Sequence, residues 1–248
     1  MPHACCYRQR RRLPVRTSTA AGFSLMETVV GIFILVLLTG AIFTLLSQVQ
    51  LSSNSEAARL DSTQEAREFV DQMVRDIHMA GYPKAAMYAP GLNNSSPLVA
   101  AGLARVSPTE ILLEGDVETS GTVYSVDTVY VPQDPSNPNC PCIRRSEAPK
   151  MAADPLSQTP AAQYTQVEQL IPPGIGPGQA GEDLFTFFDG NGNQVNVGTG
   201  VDISSAAGQG TISTIRTVKI NLSLLPPTVN PATRQRVSLS VTGYLNNN

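Results

Sequence analysis

An uninterrupted apolar segment near the N-terminus constrains this chain more strongly than any other feature. Residues 28–46 contain no charged residue and no proline. The hydrocarbon core of a bilayer is about 30 Å thick, and a helix of about 20 apolar residues crosses it. The segment is therefore predicted to form a helix that spans a membrane.

The charges around this segment are distributed asymmetrically. Five arginines precede it: Arg8, Arg10, Arg11, Arg12 and Arg16. No acidic residue comes before Glu27, which stands at the start of the segment. Basic residues hold their end of an apolar span in the cytoplasm, so the chain after Leu46 is expected outside. An ionisable group at the edge of a membrane helix is costly, which makes Glu27 a functional candidate.

A cleaved secretory signal is the usual alternative to a retained helix. Such a signal has an apolar stretch of about 7–15 residues, followed by a cleavage site with small residues. The apolar stretch is longer here, and residues 47–51 form no clear site of that kind. These features favour a helix that stays in the protein.

Residues 22–30 carry a specific motif, Gly-Phe-Ser-Leu-Met-Glu-Thr-Val-Val. It resembles the processing site of type IV prepilins and type II secretion pseudopilins. In that family a dedicated peptidase cuts after the glycine and methylates the new N-terminal residue. The resemblance implies cleavage between Gly22 and Phe23, N-methylation of Phe23, and an assembly role for Glu27. A plain signal anchor with a coincidental glutamate is the alternative.

Charge pairing gives this implied role a physical basis. Cleavage would create a cationic α-amine at Phe23, and Glu27 of a neighbouring subunit could pair with it. Two unpaired charges within an apolar bundle are costly, and the cost falls only when they meet. The pair is therefore expected to set the register between subunits.

Helical periodicity continues beyond the apolar segment. Apolar residues such as Phe69, Val70, Met73 and Ile77 recur three and four apart, with charged residues between them. This pattern predicts an amphipathic helix, and Gly81 is a plausible C′ residue. Two helices interrupted near residues 51–55 are the alternative. Residues 67–82 also resemble the end of the long helix in PilW-like minor pilins and J-type pseudopilins.

The remaining sequence predicts a β-rich head. Strands are expected at residues 109–114, 122–131, 143–145, 166–171, 184–188, 194–197, 211–225 and 235–245, with loops at 84–108, 132–140 and 146–163. The last two strands alternate apolar and polar residues and are expected to pair in an antiparallel manner. These patterns predict an α+β fold with a long helix packed on an antiparallel sheet, and the resemblance implies that this fold is pilin-like.

This reading divides the chain into four parts. They are a cleaved leader (1–22), a transmembrane and filament-core half-helix (23–46), an amphipathic half-helix (47–81) and an extracytoplasmic head (82–248). The leader would hold five of the 17 Lys and Arg residues and none of the 20 Asp and Glu residues. The mature chain would then carry about −8, and nucleic-acid-binding proteins usually need a basic patch, so no nucleic acid is expected as a partner.

Two further groups of residues are candidate sites in the head. Cys140 and Cys142 are separated only by a proline, and oxidation outside the cytoplasm would favour a disulfide over a metal site, with free thiols also possible. Asp189, Asn191 and Asn193 match the start of an EF-hand-type calcium loop. The twelfth position of that loop is Gly200 instead of glutamate, so a hairpin turn is favoured, and no cofactor is expected.

The sequence shows no nucleophile–base–acid set, phosphate-binding loop or zinc motif, so an enzyme is not expected. The resemblance implies a minor pilin or pseudopilin, first single-pass in the inner membrane with its head in the periplasm, then part of a filament. Its implied partners are a prepilin peptidase, other pilins, the inner-membrane assembly platform and membrane lipid. A tip adhesin that binds through its long loops, and a J-type pseudopilin of type II secretion, are the alternatives.

Overall fold

The computed structural model describes residues 24–84, 87, 96–151, 155–157, 163–171, 183–225 and 236–246. Gly22 and Phe23, the predicted cleavage site, lie outside these ranges. The first element is helix α1, Leu25–Met79. It is continuous, so the alternative of two helices interrupted near residues 51–55 is wrong. Residues up to Gln50 and residues from Leu51 onward form two compact units, which are described separately.

The second unit contains ten strands in two antiparallel sheets. They are β1 (Gly102–Val106), β2 (Glu110–Gly115), β3 (Tyr124–Val131), β4 (Cys142–Pro149), β5 (Tyr164–Val167), β6 (Phe185–Asp189), β7 (Gln194–Val195), β8 (Val201–Asp202), β9 (Ile215–Leu224) and β10 (Val237–Tyr244). The first sheet has the order β5-β4-β3-β2-β1-β8, and the second has the order β10-β9-β6-β7. The α+β class is thus confirmed.

The amphipathic part of α1 supplies one side of the core. Ala66, Phe69, Val70, Met73 and Ile77 are buried in a single cluster with apolar residues from both sheets. Residues three and four apart lie on one side of a helix, so the apolar stripe read from the sequence becomes the packed face. Phe69, Val70, Met73 and Ile77 of the predicted stripe are thus buried, whereas Leu60, which shares the helical spacing and was expected in the same stripe, is 68% exposed.

The C-terminal end of α1 is joined to the first sheet by main-chain contacts. Ala80 forms a bridge with Gly115, and the Gly81 N–H donates to the Glu114 carbonyl oxygen at 2.9 Å. A Cβ atom at Gly115 would collide with the carbonyl oxygen of Met79. Gly81 has a φ of 76°, which favours glycine and agrees with its predicted position after the helix end.

Several local predictions differ from the structure. Strand β5 ends at Val167, so most of the predicted strand 166–171 lies beyond it, and β8 was not predicted. Strand β1 lies within the predicted loop 84–108, because four of its five residues are buried and leave no alternation to read. Strand β4 continues through Pro149, into the predicted loop 146–163. Helix α2, Ala206–Thr214, covers the first residues of the predicted strand 211–225. The Ser205 side chain caps α2 by accepting a hydrogen bond from the Gly208 N–H.

Candidate functional site

The apolar part of α1, residues 28–47, presents large hydrophobic side chains in every direction. Phe33 is 63% exposed, Phe43 is 70% exposed and Leu35 is 61% exposed. An 18-residue window of this part has a mean hydropathy of 2.8, and none of it is buried. By length and composition, the helix can cross a membrane.

Glu27 lies in the first turn of this helix. The Ser24 carbonyl oxygen accepts hydrogen bonds from the Glu27 N–H at 3.0 Å and the Thr28 N–H at 3.2 Å, so the helix begins beside Ser24. A carboxylate in the first turn interacts favourably with the positive end of the helix dipole. Glu27 is also the only charged residue between Ser24 and Ser55. The structure thus places one negative charge at one end of a long apolar surface.

Hydroxyl groups within the apolar part of α1 are all bonded to the helix itself. The Thr39 hydroxyl donates to the Leu35 carbonyl oxygen at 2.8 Å. The Thr44 hydroxyl donates to Ala41, and the Ser47 hydroxyl donates to Phe43. Polar side chains that bond to the preceding turn in this way present no unsatisfied donor to their surroundings.

Cys140 and Cys142 are joined in a disulfide at the end of the loop between β3 and β4. The same loop contacts the segment after β5. Glu168 accepts hydrogen bonds from the side-chain amides of Asn137 at 2.8 Å and Asn139 at 2.7 Å. The Leu170 N–H donates to the Pro141 carbonyl oxygen at 3.0 Å. The structure therefore places Cys140 at the end of an anchored loop and Cys142 at the first residue of β4.

Asp189, Asn191 and Asn193 form the turn of the β6–β7 hairpin, as the sequence favoured. One Asp189 carboxylate oxygen accepts the N–H groups of both asparagines, each at 2.8 Å, and the other accepts the Asn193 side chain at 3.2 Å. Hydrogen bonds from Asn193 and Asn191 lower the pKa of Asp189. The Asp189 carboxylate therefore accepts these hydrogen bonds from residues of its own turn.

Among the described residues of the second unit, Arg145 and Lys150 form buried ion pairs that no local sequence pattern indicates. Arg145 Nε is 3.0 Å from Asp76 Oδ2, and Arg145 Nη1 is 2.6 Å from Glu147 Oε2. Lys150 Nζ is 2.5 Å from Glu114 Oε2, and both side chains are fully buried. The first pair connects α1 to β4, and the second connects residues that follow β4 to β2.

The candidate functional site is the apolar part of α1 with Glu27 in its first turn. Among the residues that the structure describes, no three His, Cys, Asp or Glu side chains are grouped to hold a metal ion. No protein-family model matches the chain, and neither does any curated protein or solved structure. The site itself offers an apolar surface and a single carboxylate.

Asp127 in β3 is a partly buried carboxyl group with a raised pKa. Burial raises the pKa of Asp127, the nearby Glu110 raises it further, and Arg105 lowers it. The net result is a pKa of about 6 instead of 3.8. One Asp127 carboxylate oxygen has no hydrogen-bond partner among the described groups. Arg105 is engaged by Glu110 at 2.8 Å. The structure therefore holds an ionised carboxylate in an unfavourable place at neutral pH.

The Asp127→Asn variant is expected to be more stable than the parent at neutral pH. The pKa of Asp127 is higher in the folded protein than in the unfolded chain, so the folded protein binds more protons between these two values. The free energy of unfolding of the parent therefore falls as the pH rises from about 4 to about 6. One pKa unit corresponds to about 1.36 kcal/mol, so the stabilisation by Asp127→Asn has an upper limit of about 3 kcal/mol. Solvent screening reduces the expected gain to about 1–2 kcal/mol.

Denaturation of parent and variant at pH 4 and pH 7.5 measures this difference. The gain should be absent at pH 4 and present at pH 7.5. Asp61→Asn, at an exposed position of α1, is the control. An equal gain from Asp127→Asn at both pH values would contradict the prediction.

Proposed function

We propose that this chain is a structural subunit of a type IV pilin-like filament, either a minor pilin or a pseudopilin. The observation that carries the proposal is an apolar helical surface, exposed on all sides, with one carboxylate at its N-terminal end. The motif at residues 22–30 supports the same conclusion from the sequence. Cleavage between Gly22 and Phe23 would place Glu27 at the fifth position of the mature chain.

The chemistry of the helix is consistent with a protein that occupies two apolar surroundings in turn. A helix that is apolar all round is stable only where its whole surface is covered. Inner-membrane lipid supplies that cover before assembly, and the helices of sister subunits supply it in the filament. The head remains on the periplasmic side throughout.

Glu27 supplies the directional element of this mechanism. An apolar surface gives little preference for one register over another, because dispersion contacts are similar at each step. A buried carboxylate without a cation is costly, and the cost is lower when the carboxylate pairs with the α-amine of a neighbouring Phe23. One register between adjacent subunits is thereby favoured.

The partners that follow from the proposal are a prepilin peptidase, other pilins and the inner-membrane assembly platform. The same subunit chemistry serves a type IV pilus and the pseudopilus of type II secretion. Genes for secretion components beside this one would favour the J-type pseudopilin, and genes for pilus components would favour the minor pilin.

Mass spectrometry of the native polypeptide tests the processing step. The proposal expects a mature chain that begins at Phe23 and carries one additional methyl group on its α-amine. Gly22→Val is expected to leave the leader attached. A native chain that begins at Met1, or beyond Leu46, would contradict the proposal.

The Glu27→Ala variant tests the register step. Incorporation into filaments should fall at least about tenfold, the effect of losing about 1.4 kcal/mol of preference, while membrane insertion and the fold of the head are unchanged. Glu56→Ala, at the next acidic residue along α1, is the matched control and should assemble normally. Equal assembly of the Glu27→Ala variant and the parent would exclude the register role.

A further inference from the structure

Strand β10 is the longest edge strand among the residues that the structure describes. It has eight residues, whereas the other three sheet edges are β5 with four residues and β7 and β8 with two each. One side of β10 pairs with β9 along its whole length. In the described ranges, no strand pairs with its other side.

The register identifies which main-chain groups of β10 face this open side. The Leu245 N–H donates to the Arg216 carbonyl oxygen, and the pairing of Tyr244 with Thr217 continues the same ladder. In an antiparallel pair, successive residues direct their main-chain groups alternately toward and away from the neighbouring strand. The N–H and C=O groups that point away from β9 therefore belong to Ser238, Ser240, Thr242 and Tyr244.

The devices that usually protect an edge strand are missing from β10. Its sequence, Val-Ser-Leu-Ser-Val-Thr-Gly-Tyr, contains no charged residue and no proline. Natural proteins normally place lysine, proline or a bulge on such an edge, because unpaired main-chain groups accept strands from other chains. With respect to the residues that the structure describes, the edge is thus open to pairing both in its main chain and in its side chains.

From this edge we infer that two copies of the chain associate through β10, strand against strand and antiparallel, about a two-fold axis at Val241. In this register Ser240 pairs with Thr242 of the other copy, and Ser238 pairs with its Tyr244. Every main-chain group on the open side then has a partner, because each of these pairs exchanges two hydrogen bonds. No other antiparallel register of the two identical strands pairs all four residues.

The same register brings the exposed apolar side chains of β10 into the contact. Val241, which is 36% exposed, meets its own copy at the axis. Tyr244, which is 61% exposed, lies across from Ser238 of the other copy. Ser240 and Thr242, both exposed, form the kind of hydroxyl pair that stabilises neighbouring strands.

A second copy fits this edge because the edge is complementary to itself. An uncharged strand can lie beside an identical strand without repulsion between like charges. Most soluble oligomers contain identical chains, and two-fold contacts between identical surfaces are the commonest kind. The association depends on the head alone, so it holds or fails independently of the filament proposal.

Paired charge substitutions in the full chain, purified in detergent, test the association. Ser240→Lys with Thr242→Lys places like charges directly opposite each other at two positions, and the dimer dissociation constant should rise roughly tenfold to thirtyfold. Ser240→Glu with Thr242→Glu should have the same effect. A mixture of the two doubly substituted chains should form mixed dimers, because each lysine then faces a glutamate.

Sedimentation over a concentration series distinguishes the outcomes. A parent chain that stays monomeric overturns the inference. So does a dimer that both charge variants leave unchanged, since the apolar part of α1 would then be the contact. Weakened dimers that are not recovered in the mixture also exclude this register.

A cysteine at the axis provides a measurement that does not depend on charge. Residues opposed at a non-hydrogen-bonded position have Cα atoms about 4.5 Å apart, within disulfide range. Val241→Cys should therefore form a covalent dimer on mild oxidation. Ser223→Cys in β9 is the control. Residue 223 lies about three strand spacings from residue 223 of the other copy, so this variant should not form a covalent dimer. Equal yields from the two variants, or from the parent, would overturn the inference.

Discussion

Replacing Lys150 with methionine is expected to destabilise the second unit by about 3–5 kcal/mol. The Lys150 Nζ atom donates to Glu114 Oε2 at 2.5 Å and to the Val99 carbonyl oxygen at 2.9 Å. Neither the Lys150 nor the Glu114 side chain is exposed to solvent. Methionine keeps most of the side-chain volume but leaves a buried carboxylate without its cation, which is the costly way to break such a pair.

Denaturation of the full chain in detergent, followed by circular dichroism, measures this loss. Glu114→Gln combined with Lys150→Met should recover a substantial part of it, because the uncompensated charge is gone. Lys219→Met, at a half-buried position of β9, is the control and should change stability by less than about 1 kcal/mol. A Lys150→Met variant as stable as this control would show that the pair contributes nothing.

The second large effect is expected at Arg145, where methionine should destabilise the protein by about 3–5 kcal/mol near neutral pH. Arg145 lies between Asp76 of α1 and Glu147 of β4, and the side chains of Arg145 and Asp76 are 8% and 4% exposed. Without the guanidinium group, two carboxylates face each other across the contact between helix and sheet. The docking of α1 on β4 should weaken accordingly.

The effect at Arg145 should also depend on pH. Burial raises the pKa of Asp76, and Arg145 offsets this shift only in part. Removing Arg145 raises the pKa of Asp76 further, so the folded variant takes up a proton that the unfolded chain does not hold. The stability of the variant therefore falls as the pH rises above the pKa that Asp76 has in the unfolded chain. The loss of stability relative to the parent is smallest near pH 4.

The companion variant is Asp76→Asn with Arg145→Met. It should be less destabilised than Arg145→Met alone, and its stability should lose most of the added pH dependence. A loss of the same size at pH 4 and pH 8 for Arg145→Met would mean that packing of the arginine side chain, and not its charge, is what matters.

The parts of the fold that the sequence predicted are those in which one side of an element is buried. Strands β9 and β10 alternate apolar and polar residues, and the buried stripe on α1 recurs at helical spacing, so burial is visible as a period. Strand β1 lacks this alternation because both of its faces are covered. Helix α2 contains two glycines and several β-branched residues, which form helices poorly, and its start depends on the Ser205 cap.

The candidate site could be predicted from the sequence, whereas the buried ion pairs could not. Glu27 could be placed at the start of the helix from the sequence, because the signal is local. Asp76, by contrast, lies among the charged residues between the apolar positions of α1, and nothing near it in the chain indicates burial. Its partner Arg145 is 69 residues away. Such pairs depend on how elements cross, which no local pattern records.

The hydroxyl groups of the apolar helix have a consequence for its mobility between environments. Thr39, Thr44 and Ser47 keep their donors within the preceding turn, so their bonding is the same whether acyl chains or other helices surround them. In the proposed transfer from lipid to a filament, no hydrogen bond would be lost at these three positions. The barrier to that transfer would then come from Glu27 and from the exchange of one set of van der Waals contacts for another.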